Sequence, residues 1–347
     1  MLSDTDIQAL RKHVKESDRP LFFVDGDVDG VCSYVTLDEY ADNDTYVVLV
    51  RDGPSLGKRY MNRVIEFRPD TIFVLDKPYV TKEFLDSTDT GVVWIDHHDI
   101  QDVRNAEYYN PRIYDESSDV PVSRLAYEIG EDTTLWKALV GMVGDWYFEK
   151  DLVDEVKESY PSLFSGELEE APDVTYGTEF GTIVDILNFN LKRRTSEAIK
   201  AVKMFSRIDD PETLLSASSK EASYLMEYYE KVNKRYQAIL DNIYVDEDDD
   251  FIVHRFSGKK GSFSSDLANE LFYENPDKTV VIGREVKDRI IMSVRSSNNI
   301  RDVFKQSLQP FEAQGGGHEN ACGGSIKMKD FRDFITMFKR QVSSKYI

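Results

Sequence analysis

Short apolar runs recur through the first hundred positions, at residues 20–25, 45–50, 71–76 and 91–96, and most of them stop at an acidic residue. Their length, and their content of valine, isoleucine and aromatic residues, predicts strands, and the segments between them are long enough to hold crossover helices. The expected fold is therefore α/β, with a parallel, doubly wound sheet. Three of the four runs end in aspartate. That puts Asp25, Asp76 and Asp96 at the carboxyl edge of neighbouring strands, where open α/β sheets bind their ligands.

Helical spacing takes over beyond Asn110-Pro111. Residues 122–129 and 134–143 read as helices, the second running into Gly144-Asp145-Trp146, and a further helical region reaches about Arg207. Asp209-Asp210-Pro211-Glu212 breaks this pattern. Residues 216–243 then carry Leu225, Tyr228, Tyr229, Val232, Tyr236 and Leu240 at three- and four-residue spacing, which predicts a long amphipathic connecting helix. Its aromatics read as packing residues rather than a base-stacking platform, which presents its rings on a sheet.

The acidic run at 246–250 reads as a solvated loop rather than a calcium site. After it come a strand at 251–256, a helix at 262–274, strands at 278–285 and 289–297, a helix at 299–308, a glycine-rich loop and a last helix at 330–342. The expected organisation is a first domain over 1–215, a connecting helix and linker over 216–248, and a smaller α/β domain over 249–347.

Composition narrows the function classes. The 347 residues are 41% hydrophobic, enough for two folded cores. No apolar stretch has the length of a membrane span and the N-terminus has no signal-peptide core, so a soluble, cytoplasmic protein without a membrane partner is expected. Cys32 and Cys322 are the only cysteines, which disfavours a disulfide framework or thiolate zinc site. Any metal must be held by oxygen and imidazole. The formal net charge of −21 weighs against a long duplex as ligand.

Asp25-Gly26-Asp27-Val28-Asp29-Gly30 packs three carboxylates into six residues at a predicted strand end. Such carboxylates repel one another unless cations neutralise them, although Asp-Gly clusters also serve as plain hairpin turns. Asp96-His97-His98-Asp99 adds imidazoles at the same edge, where the alternative is an ordinary surface His pair. Asp145, which follows the predicted helix at 134–143, is a further candidate for that edge and is otherwise just a helix terminus.

Taken in order, Asp25, Asp27, Asp29, Asp76, Asp96, His97, His98 and Asp145 resemble the motifs of the DHH phosphoesterase family. The Asp-x-Asp-x-Asp-Gly form is similar to its RecJ-like branch, whereas many relatives, including nanoRNases and family II pyrophosphatases, begin this motif with His. Downstream, Gly315-Gly316-Gly317-His318, followed by Asn320, Cys322, Gly323 and Gly324, resembles the GGGH signature of the DHH-associated substrate-binding domain. Ser293-Val294-Arg295-Ser296 resembles that domain's Ser-x-Arg-Ser strand. The resemblance spans about residues 18 to 342.

The resemblance implies two divalent ions, manganese foremost with magnesium or cobalt as alternatives. Carried over by motif position, Asp25, Asp27 and Asp76 hold one ion, and Asp29, Asp76, His97 and Asp145 hold the other. Asp96 orients the site and His98 contacts the scissile phosphate. Arg295, Ser296, His318 and the backbone of Gly315, Gly316 and Gly317 grip a phosphate or terminal nucleotide as the small domain closes. The implied activity is a phosphodiesterase of RecJ-like exonuclease type, releasing mononucleotides from the ends of single-stranded or short DNA or RNA. The alternative is a nanoRNase or pAp-phosphatase type of enzyme acting on dinucleotides or small nucleotide phosphates. An inactive replication-associated binding module ranks below both. Partners in replication and repair fit the first reading, and oligomeric state is not legible.

Overall fold

The computed structural model describes residues 1–131 and 133–346, which divide into two compact units, Met1–Tyr229 and Glu230–Ile347. The first opens with helix α1 (Asp4–Glu16), whose N-terminus is closed by a capping box between Ser3 and Asp6. Strands β1 (Pro20–Asp25), β2 (Tyr46–Val50), β3 (Thr71–Leu75), β4 (Gly91–Ile95) and β5 (Glu107–Tyr109) then build one parallel sheet in the order β2-β1-β3-β4-β5. The expected parallel sheet is present. Its fifth strand carries only Glu-Tyr-Tyr, so no apolar run announces it.

Alternate residues of the central strands feed two separate cores. Phe22, Val24, Phe73, Leu75, Val93 and Ile95 pack on one face, and Leu21, Phe23, Ile72, Val74, Val92 and Trp94 on the other. Burial on both faces is why these strands read as unbroken apolar runs. The first face is covered by α1, α2 (Val28–Tyr40), α3 (Val122–Ile129) and α4 (Leu135–Gly144), with further helices at Glu179–Leu191 and Thr195–Ser206. Helix α2 is buried continuously from Val28 to Leu37, so it lies within the core rather than on its surface.

Sheet register then fixes the site. Val24 lies beside Leu75, and Leu75 beside Ile95. The next residues along these parallel strands are Asp25, Asp76 and Asp96, which therefore emerge side by side.

The connecting helix α5 (Lys220–Leu240) is shorter than the expected 216–243. A separate short helix, Pro211–Leu215, precedes it, and Ala217 takes a left-handed φ of 50° that interrupts the chain between them. The boundary between the two units falls within α5. Among the described residues no helix is long and apolar enough to cross a membrane.

The second unit is a five-stranded sheet of β6 (Phe251–Ser257), β7 (Thr279–Val286), β8 (Arg289–Arg295), β9 (Ala313–Gly317) and β10 (Ala321–Lys327), ordered β9-β10-β8-β7-β6. Only β6 and β7 pair in parallel. Helices α6 (Ser264–Glu274), α7 (Arg301–Leu308) and α8 (Phe331–Tyr346) pack on it. Phe334 and Phe338 of α8 each meet Phe304 of α7 edge-on at 5.9 Å, the centre of this smaller core.

The acidic segment wraps its carbonyls around an ammonium: Lys278 Nζ donates to the backbone oxygens of Asp246, Glu247 and Asp249 at 3.0, 3.1 and 2.7 Å. Gly315, Gly316 and Gly317 do not form a loop. They lie in edge strand β9, paired with Gly324, Gly323 and Cys322 of β10. A Cβ on Gly315 would stand 2.9 Å from the Gly323 carbonyl oxygen, so the glycines serve close strand approach as well as turning.

Candidate metal centre

Each acidic side chain at the sheet edge is held by a different backbone device. Asp25 is the last residue of β1. Asp27 is the N-cap of α2 and accepts a hydrogen bond from the Gly30 N–H at 3.0 Å. Gly30 has to be glycine, since a Cβ there would lie 2.9 Å from the Asp25 carbonyl oxygen. Asp29 turns inward from the first turn of α2, and its two oxygens accept the N–H groups of Val122 and Ser123, each at 2.9 Å. It thereby caps α3 across the core.

Asp76 leaves β3 in a left-handed conformation, φ 57°, while its N–H still bonds the Ile95 carbonyl at 3.0 Å. Such a backbone is uncommon outside glycine and is retained where surrounding structure over-determines it. Asp96 is fully buried past the end of β4, and Asp145 is the C-cap of α4.

These elements bring the eight residues of the first unit together. Donor atoms of Asp25, Asp27 and Asp76 lie within 4.8 Å of one another, as do those of Asp29, His97 and Asp145, and those of Asp76, His97 and His98. His97 Nε2 is 3.3 Å from Asp76 Oδ1 and 3.6 Å from Asp145 Oδ2, and so joins the groups. Asp76 Oδ1 is buried with no hydrogen-bond donor. A buried carboxylate oxygen left unsatisfied is costly, and a cation would satisfy it.

The electrostatics agree. Burial, then the charges of Asp25 and Asp29, push the Asp27 carboxyl up to about 7; the residue is exposed as a whole, but its carboxylate sits in the cluster. Burial, followed by Asp29 and Asp27, pushes Asp145 up to about 9. Asp76 is raised well above the ordinary range by burial and by all four neighbouring aspartates, and Asp29 is raised by burial against the opposing pull of His97. Carboxylates that resist ionising side by side are poised to exchange protons for cations. Oxygen donors with one imidazole suit a divalent ion such as manganese.

Burial lowers the His97 pKa, which favours the neutral imidazole a ligand must be. For His98, burial is outweighed by the hydrogen bond and charge of Asp96, with Asp27 and Asp25 beyond, so its pKa rises. His98 Nδ1 lies 2.7 Å from Asp96 Oδ1. Behind them, the Tyr108 hydroxyl donates to Asp96 Oδ2 at 3.3 Å, and Asn110 Nδ2 donates to the His98 carbonyl at 2.9 Å and the Tyr108 hydroxyl at 2.8 Å.

Lys77, Tyr108 and Asn110 have no motif signal in the sequence. Lys77 is the least expected: its side chain is 1% exposed and Nζ sits 3.0 Å from Asp25 Oδ2. Adjacency to Asp76 was the available hint.

In the second unit, Arg295 is engaged by its own domain: Nε donates to Asn269 Oδ1 at 2.6 Å, Nη2 to Ser265 Oγ at 3.1 Å and Nη1 to the Val294 carbonyl at 2.9 Å. Ser296 is buried, its hydroxyl 2.9 Å from that of Thr279. His318 is exposed at the β9–β10 turn, its N–H bonded to the Ala321 carbonyl at 2.9 Å. Gly317 adopts φ 144° there, a conformation glycine permits.

Residues 248–344 match the DHHA1 domain family. No curated protein matches the chain at a significant level. Its fold is that of RecJ from Thermus thermophilus in complex with Mn2+, at TM-score 0.65 and 16% identity over 98% of this chain and 54% of that one. The chain thus spans about half the length of that RecJ. An exonuclease RecJ bound to manganese superposes at TM-score 0.64 and 17% identity, covering 99% and 95% of the two chains. A pGpG-specific phosphodiesterase from Vibrio cholerae is similar at TM-score 0.50 and 13% identity over 94% and 99%. The resemblance read from the motifs is borne out in the two-domain DHH/RecJ fold and in the C-terminal domain.

Proposed function

From a DHHA1 domain in its C-terminal part and the two-domain fold of RecJ in the whole chain, we propose that this protein is a metal-dependent phosphodiesterase that uses two divalent ions, manganese foremost. The observation that carries the reading is the meeting of two donor groups, Asp25/Asp27/Asp76 and Asp29/His97/Asp145, around the buried Asp76 oxygen that no donor satisfies. The first group would hold one ion and the second, with Asp76, the other. When bound, a pair of divalent ions supplies an activated water and neutralises charge on a phosphoryl group.

The chain's own residues do the rest. Asp76 sits in the first group and meets His97 of the second at 3.3 Å, and so keeps the two at one spacing. Asp96 accepts from Nδ1–H of His98 and favours the imidazolium, the form in which Nε2–H can also donate to a phosphate oxygen, and Tyr108 and Asn110 hold that arrangement from behind. The cluster's own repulsion favours a site that is filled with cations before an anionic substrate approaches.

The substrate we favour is the end of a single-stranded or short DNA or RNA, shortened by mononucleotide release. Charge supports short or single-stranded substrates over long duplexes: Met1–Tyr229 carries 24 Lys and Arg against 46 Asp and Glu, whereas Glu230–Ile347 carries 19 against 18. A polyanion would meet far less repulsion at the second unit than at the first. Arg295, His318 and the glycine-rich hairpin are the proposed contacts there. Dinucleotides are the second reading, supported by the likeness in fold to a phosphodiesterase specific for pGpG.

The test is a panel of 5′- and 3′-labelled RNA and DNA from two to twenty nucleotides, linear and circular, with Mn2+. Mononucleotide release from linear strands alone supports the exonuclease. Equal cutting of a circular strand overturns it, and turnover confined to the dinucleotide selects the second reading.

A further inference from the structure

We infer that Lys77 is the built-in counter-charge of this centre: its buried ammonium, fixed on Asp25, sets the cluster at the net charge that two divalent ions neutralise. The inference rests on the two-ion reading above and names a positioning residue within it.

Lys77 is held at both ends. Its carbonyl accepts a hydrogen bond from Trp94 Nε1 at 2.9 Å, and its Nζ lies 3.0 Å from both Asp25 Oδ2 and the Gly53 carbonyl. A lysine side chain only 1% exposed is tolerated when an anion and polar groups take its protons, and Asp25 is that anion. Asp25 is fixed in turn, since its Oδ1 accepts the Gly26 N–H at 2.6 Å. Each carboxylate oxygen has a second lone pair, so these bonds leave Asp25 able to bind an ion.

Charge counting gives the pair its meaning. Asp25, Asp27, Asp29, Asp76 and Asp145 bring five negative charges once ionised, and His97 as a neutral ligand brings none. Among the described residues no other lysine or arginine forms an ion pair with these carboxylates. Lys77 therefore leaves a net four, the charge of two divalent cations. Without it the filled site would keep an excess negative charge, in a place where an anionic substrate must bind.

The count is tested by a double-variant cycle on the full chain, following Mn2+ uptake by calorimetry and by the manganese spin-resonance signal, with melting temperatures recorded in chelator. Asp25→Asn leaves a net three and is expected to weaken Mn2+ affinity by about tenfold or more, the scale of one charge at this spacing. Lys77→Met leaves five, and should melt lower in chelator and gain more than wild type on adding Mn2+. The double variant returns the count to four while still lacking the Asp25 ligand, so its affinity is expected to recover at least about threefold over Asp25→Asn without reaching wild type. Lys77→Gln, which is neutral yet can still donate to Gly53, repeats the cycle should Met disturb packing. A double variant that binds no better than Asp25→Asn, in protein whose wild type takes up two ions, overturns the role of Lys77 alone. Wild type that takes up no Mn2+ overturns the two-ion reading and this inference with it.

Discussion

His98 Nδ1 lies 2.7 Å from Oδ1 of the fully buried Asp96, and this contact decides which face of the imidazole is left for chemistry. With Nδ1–H donating to the carboxylate, Nε2 accepts in the neutral ring and donates in the imidazolium that Asp96 favours. Asp96→Asn is expected to reverse the demand at Nδ1, lowering kcat by about 10²- to 10⁴-fold with little change in the circular dichroism spectrum. Combining it with His98→Ala should cost no more than His98→Ala alone. Additive losses in kcat would separate the two residues.

Asp76 groups with Asp25 and Asp27 on one side and with His97 and His98 on the other, and its pKa is raised by burial and by four neighbouring carboxylates. Asp76→Asn is expected to abolish Mn2+ uptake while raising the melting temperature of the chelated protein, because a repelling charge has gone. In wild type, an ion concentration a hundred times Kd should add about 2.7 kcal/mol of stability for each ion bound, which chelator removes. Thermal melts with and without chelator check both statements; a chelated variant that melts below wild type contradicts the first.

The metal-free protein should respond to pH in a definite direction. Asp145 and Asp27 have folded pKa values of about 9 and about 7, above their ordinary 3.8. From about pH 4 upward the unfolded chain releases protons that the folded one retains, so stability falls as pH rises towards about 9. Asp145→Asn removes the larger of these two contributions. The gap in melting temperature between that variant and wild type is expected to widen from pH 5 to pH 9 in chelator and to narrow when Mn2+ is added. A gap that stays constant with pH would count against these shifts.

Gly30 is pressed against the Asp25 backbone, where a Cβ would sit 2.9 Å from the carbonyl oxygen. Gly30→Ala must displace either β1 or the first turn of α2, at a cost of about 1–3 kcal/mol. Because that turn carries Asp27 and Asp29, Mn2+ affinity should fall together with stability. Urea denaturation and calorimetric Mn2+ titration of the variant measure the two losses, and an unchanged affinity would mean the turn had not moved.

The sequence carried a good deal of the first unit. Its parallel strands are buried on both faces, so each became a continuous apolar run, and the aspartates ending three of them stood out against that background. The helix at 122–129 was legible from spacing because one core face defines it, and that at 134–143 from a nearly unbroken apolar run, since it is buried on all sides. Strand β5 was not, since at the sheet edge it needs no apolar run. The glycine segment misled for a related reason: glycine relaxes backbone limits in a turn and equally in a strand packed too close for a Cβ, and only the pairing of β9 with β10 separates the two.

What the sequence determined by itself was therefore which residues had the chemistry: carboxylates and imidazoles in a fixed order, with an acidic charge balance around them. What tertiary structure decided was how they are used. Register put Asp25, Asp76 and Asp96 side by side, the N-terminus of α3 took both oxygens of Asp29, and the fold buried Lys77 against Asp25. Those choices depend on distances between segments tens of residues apart, and local pattern holds no information about a charge that reaches across a sheet edge.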